Sequence, residues 1–299
     1  MKRNIKIINI TPRGFCNGVV KAIIMINNVL KNNNYKKPLY IYGELVHNSH
    51  ITNAFKDEGI ITIDNYKNIK EGTVIVTAHG LSENEKKLIN SQGVDIIDTT
   101  CKEVLKIQNL VKDKINDNYT VLYYGKLNHP ECKAVLNDND DIILITKLDD
   151  VNNINIKNLN NKIFFTNQTT MSYFDTLDII NELKKKYPNI EINIDICNAS
   201  KQRQVAVYDK CKECDIVLVI GDKKSNNTNK LKEICESLNV KSYLIETIND
   251  LNNIVFFDNI KIGITAGSST PNKLVNEIIK SLEDDEYISS LTNKDFIDF

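Results

Sequence analysis

Strand-like and helix-like segments alternate along this 299-residue chain, and the alternation limits the folds open to it. Short apolar runs rich in β-branched residues, such as 216–220, are followed by segments with apolar residues at helical spacing, such as 228–238. This order is typical of parallel sheets covered by helices and joined by right-handed crossovers. The sequence therefore predicts an α/β fold.

Polar loops follow nine of the strand-like runs. Three loops carry Cys16, Cys101 and Cys197, whose spacings of 85 and 96 residues, with 102 residues left, divide the chain into near-equal thirds. The other six loops, two in each third, carry His47, His79, His129, Thr169, Ser225 and Ser269. Ligands of parallel sheets bind outside the carboxyl ends of the strands. We therefore expect three similar α/β domains, at 1–100, 101–196 and 197–299 (the last with a C-terminal tail), that direct these loops at one centre.

Charge and hydropathy exclude several classes of protein. Lys and Arg number 38 against 39 Asp and Glu, so the net charge of −1 offers no basic surface to nucleic acid. Apolar runs are too short to span a membrane, and the first residues lead directly into an alternating strand. Seven cysteines, an odd number, argue against a disulfide framework. We expect a cytoplasmic protein with reduced thiols and without nucleic-acid or membrane partners.

The three strand-end cysteines predict a metal site. The other four, Cys132, Cys211, Cys214 and Cys235, fit buried positions, and the single C-x-x-C at 211–214 lies at the amino end of a strand. That motif is a weak indication of zinc, and structural zinc sites usually close with a fourth ligand. Thiolates spread one per third favour a larger group, an iron–sulfur cluster. Three ligands on four irons would leave one iron open to a substrate oxygen.

Histidine and hydroxyl side chains predict an anion pocket. Three of the four histidines lie in the strand-end loops, namely His47, His79 and His129, whereas His50 is expected at the start of a helix. Ser225, Asn227 and Ser269 lie beside predicted helix starts, where free N–H groups favour anions such as a diphosphate. The serines also suit simple N-cap roles. Glu131 is the carboxylate within this set and is a candidate proton donor.

Nine motifs in order resemble the LytB-type 4-hydroxy-3-methylbut-2-enyl diphosphate reductases, the last enzymes of the non-mevalonate isoprenoid pathway. In one-letter code they are GFCNGV at 14–19, VHN at 46–48, TAHG at 77–80, DTTC at 98–101, HPE at 129–131, NQTT at 167–170, DIC at 195–197, SNN at 225–227 and TAGSS at 265–269. The resemblance covers nearly the whole chain, and nine ordered motifs are far more specific than any one of them.

The resemblance implies a trefoil of three α/β domains around a central 4Fe-4S cluster with one open iron, whose ligands would be Cys16, Cys101 and Cys197. The implied substrate-binding residues are His47, His79, His129, Thr169, Ser225, Asn226, Asn227 and Ser269. Glu131, Thr169 and His129 are implied to be catalytic. The implied reaction removes the hydroxyl of an allylic diphosphate with two electrons and two protons, giving isopentenyl and dimethylallyl diphosphate. A carrier such as ferredoxin or flavodoxin would supply the electrons.

Two positions depart from the family pattern, and two alternatives stay open. Asn226 stands where the family usually has a second serine, and Lys102 stands where proline commonly follows the second cysteine. An amide can still donate a hydrogen bond, so the anion-binding role of that loop is kept. One alternative is a quinolinate-synthase-like dehydrating enzyme, which would not depend on a diphosphate. The other is a non-catalytic iron–sulfur sensor or carrier, which would leave Glu131 and Thr169 without a role.

Overall fold

The computed structural model describes residues 4–137, 139–156, 162–284 and 286–298. Its strands are β1 (Lys6–Asn9), β2 (Leu39–Tyr42), β3 (Ile61–Ile63), β4 (Thr73–Val76), β5 (Asp95–Asp98), β6 (Tyr119–Tyr124), β7 (Ile142–Ile145), β8 (Lys162–Asn167), β9 (Glu191–Ile192), β10 (Ile216–Ile220), β11 (Lys241–Ile245) and β12 (Lys261–Ala266). Its α-helices are α1 (Asn17–Asn32), α2 (Ser49–Asp57), α3 (Glu83–Ser91), α4 (Lys102–Asn116), α5 (Pro130–Leu136), α6 (Asp150–Asn153), α7 (Tyr173–Lys186), α8 (Asn198–Lys210), α9 (Asn226–Ser237) and α10 (Asn272–Glu283). Short 3-10 helices occupy Cys211–Glu213, Ile248–Asn253 and Asn293–Phe296. In these described ranges, no helix is long and apolar enough to cross a membrane.

The strands form three parallel sheets of four strands each, which confirms the α/β class. One sheet has the order β1-β12-β10-β11, and another has the order β7-β6-β8-β9. In the remaining sheet, β2, β4 and β5 are neighbours in that order. Each sheet therefore has a carboxyl edge from which several loops leave in the same direction.

The chain divides into two compact units. The first comprises Met1–Asn32, Gly43–Ile63 and Ala199–Phe299, and it contains the β1-β12-β10-β11 sheet. The second comprises Asn33–Tyr42 and Asp64–Asn198, and it contains β2, β4 and β5 together with the β7-β6-β8-β9 sheet. The expected domain boundaries at residues 101 and 197 stay a prediction.

Each sheet supplies three candidate loops, but the sets are not consecutive thirds of the chain. The strand before Cys16, β1, pairs with β12, so that Lys6 lies opposite Lys261. Cys16 thus shares its sheet with the loops of Ser225 and Ser269, which follow β10 and β12. Strands β2, β4 and β5 precede His47, His79 and Cys101, while β6, β8 and β9 precede His129, Thr169 and Cys197. Each sheet therefore supplies one of the three predicted ligand cysteines.

The β6–β8 pair shows why the central strands, which helices cover on both faces, carry apolar residues at successive positions. Leu122, Tyr124 and Phe165 belong to one apolar cluster, which includes side chains of α7. Val121, Tyr123 and Phe164, the alternating residues, belong to a second cluster, which includes side chains of α4 and α5. Successive strand residues point to opposite faces, so a strand covered on both faces must be apolar throughout.

The run directly before Cys197, at 192–196, has the alternation that predicts a strand, but in the structure β9 ends at Ile192. Asn193 N–H still donates to Phe165 O at 2.9 Å, but Asp195 N–H donates to the side-chain Oδ1 of Asn167 at 3.1 Å. The backbone therefore leaves the ladder to bond side chains. Ile194 and Ile196 give this segment the alternating pattern of a strand, but the segment lacks the strand's full backbone pairing. Short polar side chains such as that of Asn167 compete with neighbouring strands for backbone N–H groups.

Candidate functional site

The three predicted ligand cysteines occupy equivalent positions. Each lies directly before a helix, since α1, α4 and α8 begin at Asn17, Lys102 and Asn198. Each donates its backbone N–H to a neighbouring loop, from Cys16 to Ser268 O at 3.0 Å, from Cys101 to Ala78 O at 3.1 Å and from Cys197 to Thr169 O at 3.0 Å. All three thiols are partly exposed. The thiolate is the form of cysteine that binds metal.

The other four cysteines have a different environment. Cys132, Cys211, Cys214 and Cys235 are buried. Burial raises the pKa of Cys132 and Cys214 to about 11 and also raises the pKa values of Cys211 and Cys235. Protonated, buried thiols are poor ligands and nucleophiles. These four are the cysteines that the sequence predicted to be buried.

In the first unit, the start of α9 has the features of an anion site. Ser225 is its N-cap, and its hydroxyl accepts a hydrogen bond from Thr228 N–H at 3.3 Å. The Oδ1 atom of Asn227 accepts from Ser268 N–H at 3.0 Å, whereas its buried Nδ2 has no partner among the described residues. Asn226 is also buried, 5 % exposed. An amide donor beside the unsatisfied N–H groups of a helix start is suited to phosphate oxygens.

His47 and Ser269 come together in the same unit, because the Ser269 hydroxyl donates to His47 O at 3.0 Å. Sequence reasoning missed Glu44, whose Oε2 lies 3.2 Å from His47 Nδ1 and whose Oε1 lies 2.5 Å from Lys224 Nζ. The hydrogen bond with His47 is the largest cause that lowers the pKa of Glu44 to about 2, and Lys224 adds to it against the opposing effect of burial. A carboxylate at this position orients the imidazole. The three-residue spacing from Glu44 to His47 could have indicated this pair.

In the second unit, His79 and His129 form an edge-to-face pair with ring centroids 5.2 Å apart. His129 is the N-cap of α5, and its Nδ1 lies 3.2 Å from Glu131 N, which donates to it. This bond assigns the hydrogen of the neutral ring to Nε2. His129 thus carries its ring hydrogen on Nε2.

Glu131 and Thr169 form the most enclosed polar group of the site. Glu131 is 1 % exposed, and it accepts hydrogen bonds from Thr169 N–H at 2.7 Å and from the Thr169 hydroxyl at 2.8 Å. Burial raises the pKa of Glu131 to about 7, although both bonds from Thr169 lower it. The carbonyl of the same Thr169 accepts the Cys197 N–H. Thr169 therefore connects Glu131, whose pKa lies near neutral pH, with the predicted metal ligand Cys197.

The fold and these loops define an α/β protein with cysteine, histidine and hydroxyl side chains at the carboxyl ends of parallel strands. The model of the LytB protein family matches residues 7–283, and the chain belongs to this family.

Curated relatives and solved structures agree with that assignment. A 4-hydroxy-3-methylbut-2-enyl diphosphate reductase of Geobacillus sp. (strain WCH70) is 40% identical over 286 residues, which are 93% of this chain and 90% of the relative. The reductase of the same name from Bacillus subtilis (strain 168) is 38% identical over the same shares of both chains. The structure of the E-1-hydroxy-2-methyl-but-2-enyl-4-diphosphate reductase from Plasmodium falciparum gives a TM-score of 0.85 at 30% identity, covering 96% of this chain and 90% of that chain.

Proposed function

We propose that this protein is a 4-hydroxy-3-methylbut-2-enyl diphosphate reductase, which removes the substrate hydroxyl by two-electron reduction at the end of the non-mevalonate pathway. The observation that carries the proposal is the family match over residues 7–283. That match favours the reductase over a quinolinate-synthase-like enzyme or a non-catalytic iron–sulfur protein.

Binding of the diphosphate is assigned to residues with hydrogen-bond donors at the strand ends. They are His47, His79, His129, Thr169, Ser225, Asn226, Asn227 and Ser269. The unpartnered Nδ2 of Asn227 and the N–H groups at the start of α9 support this role. Asn226, in place of the usual serine, keeps a donor there.

Glu131 is assigned the role of proton donor to the departing hydroxyl, with Thr169 and His129 as its catalytic neighbours. A hydroxide is a poor leaving group, so cleavage of its C–O bond needs a proton as well as electrons. With its pKa near 7, Glu131 holds that proton at neutral pH and can release it. The Thr169 hydroxyl can accept one hydrogen bond while donating another, which suits it to relay the proton.

The donor set of Cys16, Cys101 and Cys197 fits a 4Fe-4S cluster with three protein ligands. Three partly exposed thiols at helix starts are the chemistry that such clusters require. When bound, the cluster would supply the two electrons and an open iron for the substrate oxygen. A small carrier such as ferredoxin or flavodoxin would reduce it in the cytoplasm.

The function is tested by anaerobic turnover of the allylic diphosphate with a chemical reductant. We expect release of isopentenyl and dimethylallyl diphosphate and loss of the substrate hydroxyl as water. Absence of turnover by a protein that holds its full iron and sulfide would refute the reductase assignment.

The cluster ligands are tested by single serine replacements at residues 16, 101 and 197. Each should abolish the visible absorbance of the reconstituted protein, because serine removes a thiolate. The Cys211→Ser/Cys214→Ser variant is the matched control and should keep that absorbance. Loss of the cluster in the control would instead assign a ligand role to the C-x-x-C pair.

A further inference from the structure

One ion pair in the second unit joins the helix after Cys101 to the loop before Cys197. Lys106, in the second turn of α4, places Nζ 3.0 Å from Asp195 Oδ1. Asp195 lies two residues before Cys197 and is 89 residues away from Lys106 along the chain. The pair does not belong to the anion-binding loops or to the Glu131–Thr169 pair.

Asp195 is built into its surroundings, whereas Lys106 reaches it from the surface. The side chain of Asp195 is 2% exposed and that of Lys106 is 63% exposed. Besides Lys106, the carboxylate accepts from the Thr166 hydroxyl at 2.8 Å and from Asn193 Nδ2 at 2.8 Å. Its own N–H donates to Asn167 Oδ1 at 3.1 Å. Four bonds therefore fix this carboxylate and its backbone at the end of β8.

The two predicted ligand cysteines of the second unit, Cys101 and Cys197, are connected to the ends of the pair by short paths. Cys101 immediately precedes α4, and its carbonyl accepts Leu105 N–H at 3.0 Å. A displacement of Lys106 is therefore transmitted to Cys101 through the first turn of the helix. Cys197 is held on its other side by Thr169 O. A second lysine-bound aspartate precedes Cys101, since Lys86 Nζ lies 2.8 Å from Asp98 Oδ2. A further pair, Lys114 with Glu191, also joins α4 to the segment before Cys197, but its residues lie further along the chain from both cysteines than Lys106 and Asp195 do.

We propose that Lys106 and Asp195 are a positioning pair, which holds the Cys101 helix and the Cys197 loop at the separation a shared metal cluster needs. The inference rests on the proposed ligand role of these two cysteines. Neither residue belongs to the proposed cluster ligands or substrate-binding residues. Their effect is to restrict the motion of two ligands that lie 96 positions apart in the sequence.

The test compares Lys106→Met, Lys106→Arg and the double variant Lys106→Met/Asp195→Asn with the wild-type holoprotein. Methionine keeps the apolar stem and removes the charge, while arginine keeps the charge. The main readout is the rate at which a chelator removes iron under anaerobic conditions. We expect Lys106→Met to release iron about tenfold faster, corresponding to about 1.4 kcal/mol, and Lys106→Arg to restore the wild-type rate. Lys112→Met, an exposed change on the same helix, is the matched control and should not alter the rate.

The double variant distinguishes loss of the Lys106–Asp195 contact from the destabilisation that a buried carboxylate causes when it lacks its cation. It contains no unpaired charge, so the melting temperature of its apoprotein should return toward the wild-type value, while iron release should stay fast because the tie is absent. A double variant that releases iron at the wild-type rate would overturn the proposal, as would unchanged release in Lys106→Met.

A cluster-independent readout distinguishes failure of this inference from failure of the proposed function. Amide hydrogen exchange of the apoprotein should be about tenfold faster over 193–197 in Lys106→Met than in the wild type. If the wild type binds no cluster, the ligand assignment fails, and exchange still decides whether the pair restrains the loop. Equal exchange in both proteins would show that it does not.

Discussion

Glu131 is buried, yet its two hydrogen-bond donors come from one residue, Thr169. The balance between burial and those bonds brings its pKa to about 7, where a general acid is most effective at neutral pH. The sequence predicted a proton-donor role for this residue, which stays a prediction, because Glu131 is the carboxylate among the histidine and hydroxyl loops. It could not predict that Thr169 supplies both hydrogen bonds to this carboxylate, because that contact depends on how closely the loops after β6 and β8 approach each other.

Replacing Glu131 by glutamine should lower turnover by about two to four decades, the usual contribution of general acid catalysis. Glutamine keeps the shape and can still bond both groups of Thr169, but it cannot transfer a proton. Substrate titration should show that binding is kept. Glu277→Gln is the matched control, since Glu277 is also buried at 5 % exposure. Near-normal turnover of the Glu131 variant would place the proton source elsewhere.

The same substitution should change how stability depends on pH. In the unfolded chain Glu131 has its ordinary pKa of 4.5, and in the folded protein the value is about 7. Between these pH values the folded protein keeps a proton that the unfolded chain has lost, so stability falls as pH rises through this window, by up to about 3 kcal/mol at 1.36 kcal/mol per unit. Glu131→Gln should remove this loss. Urea unfolding at pH 5 and pH 8 checks it: the variant should gain stability relative to wild type at pH 8, and equal pH dependence would contradict the assignment.

At the scale of elements, the start of α9 offers a donor that the fold itself does not use. Asn227→Ala removes the unpartnered Nδ2 together with the bond that Oδ1 accepts from Ser268 N–H. We expect inorganic diphosphate to bind about tenfold more weakly, because a hydrogen bond to a charged group contributes roughly 1.5–3 kcal/mol. Calorimetric titration measures this change. Asn229→Ala, on the same helix but bonded to Lys223 O and Ser225 O, should leave the affinity unchanged.

Elements formed by a continuous apolar run could be predicted from the sequence, whereas the bounds of segments with interspersed polar residues could not. The strand predicted over 216–220 is β10, as expected, because all its residues are buried between covering layers. The run at 192–196 is not a full strand because the N–H of Asp195 donates to the side chain of Asn167, although Asn193 N–H still donates to Phe165 O. The position of each predicted ligand cysteine directly before a helix could not be predicted either, since it depends on the residue at which each helix begins.

At the scale of the whole molecule, β12 joins the beginning of the chain to its last third. It lies between β1 and β10, and its Gly263 leaves no space for a larger side chain. A Cβ there would lie 2.7 Å from Cys214 Sγ and 3.0 Å from Val217 Cγ2. Gly263→Ala should therefore destabilise the protein by about 1–3 kcal/mol through overpacking. Chemical unfolding measures this, and Cys214→Ala should recover part of the loss because it removes the closest atom. An unaffected midpoint would show that the sheet can relax.

The grouping of loops into sheets could not be predicted from spacing. Near-equal intervals between cysteines suggested consecutive thirds, each opened by a cysteine, and each sheet does supply one cysteine and two further loops. The pairing of β1 with β12 changes which loops share a sheet. Periodicity identifies a strand but carries no information about a distant partner, so this grouping needed the structure.

The pairing of β1 with β12 also imposes an order on biosynthesis. Asn4 N–H donates to Asp258 Oδ1, an acceptor 254 residues further along the chain. At about 5–20 residues per second, a ribosome needs roughly 13–50 s to reach that acceptor after making its donor. Throughout that interval the first strand and Cys16 emerge without their neighbours in the sheet. The sheet that carries Cys16 can therefore be completed only at the last stage of elongation or after release of the polypeptide.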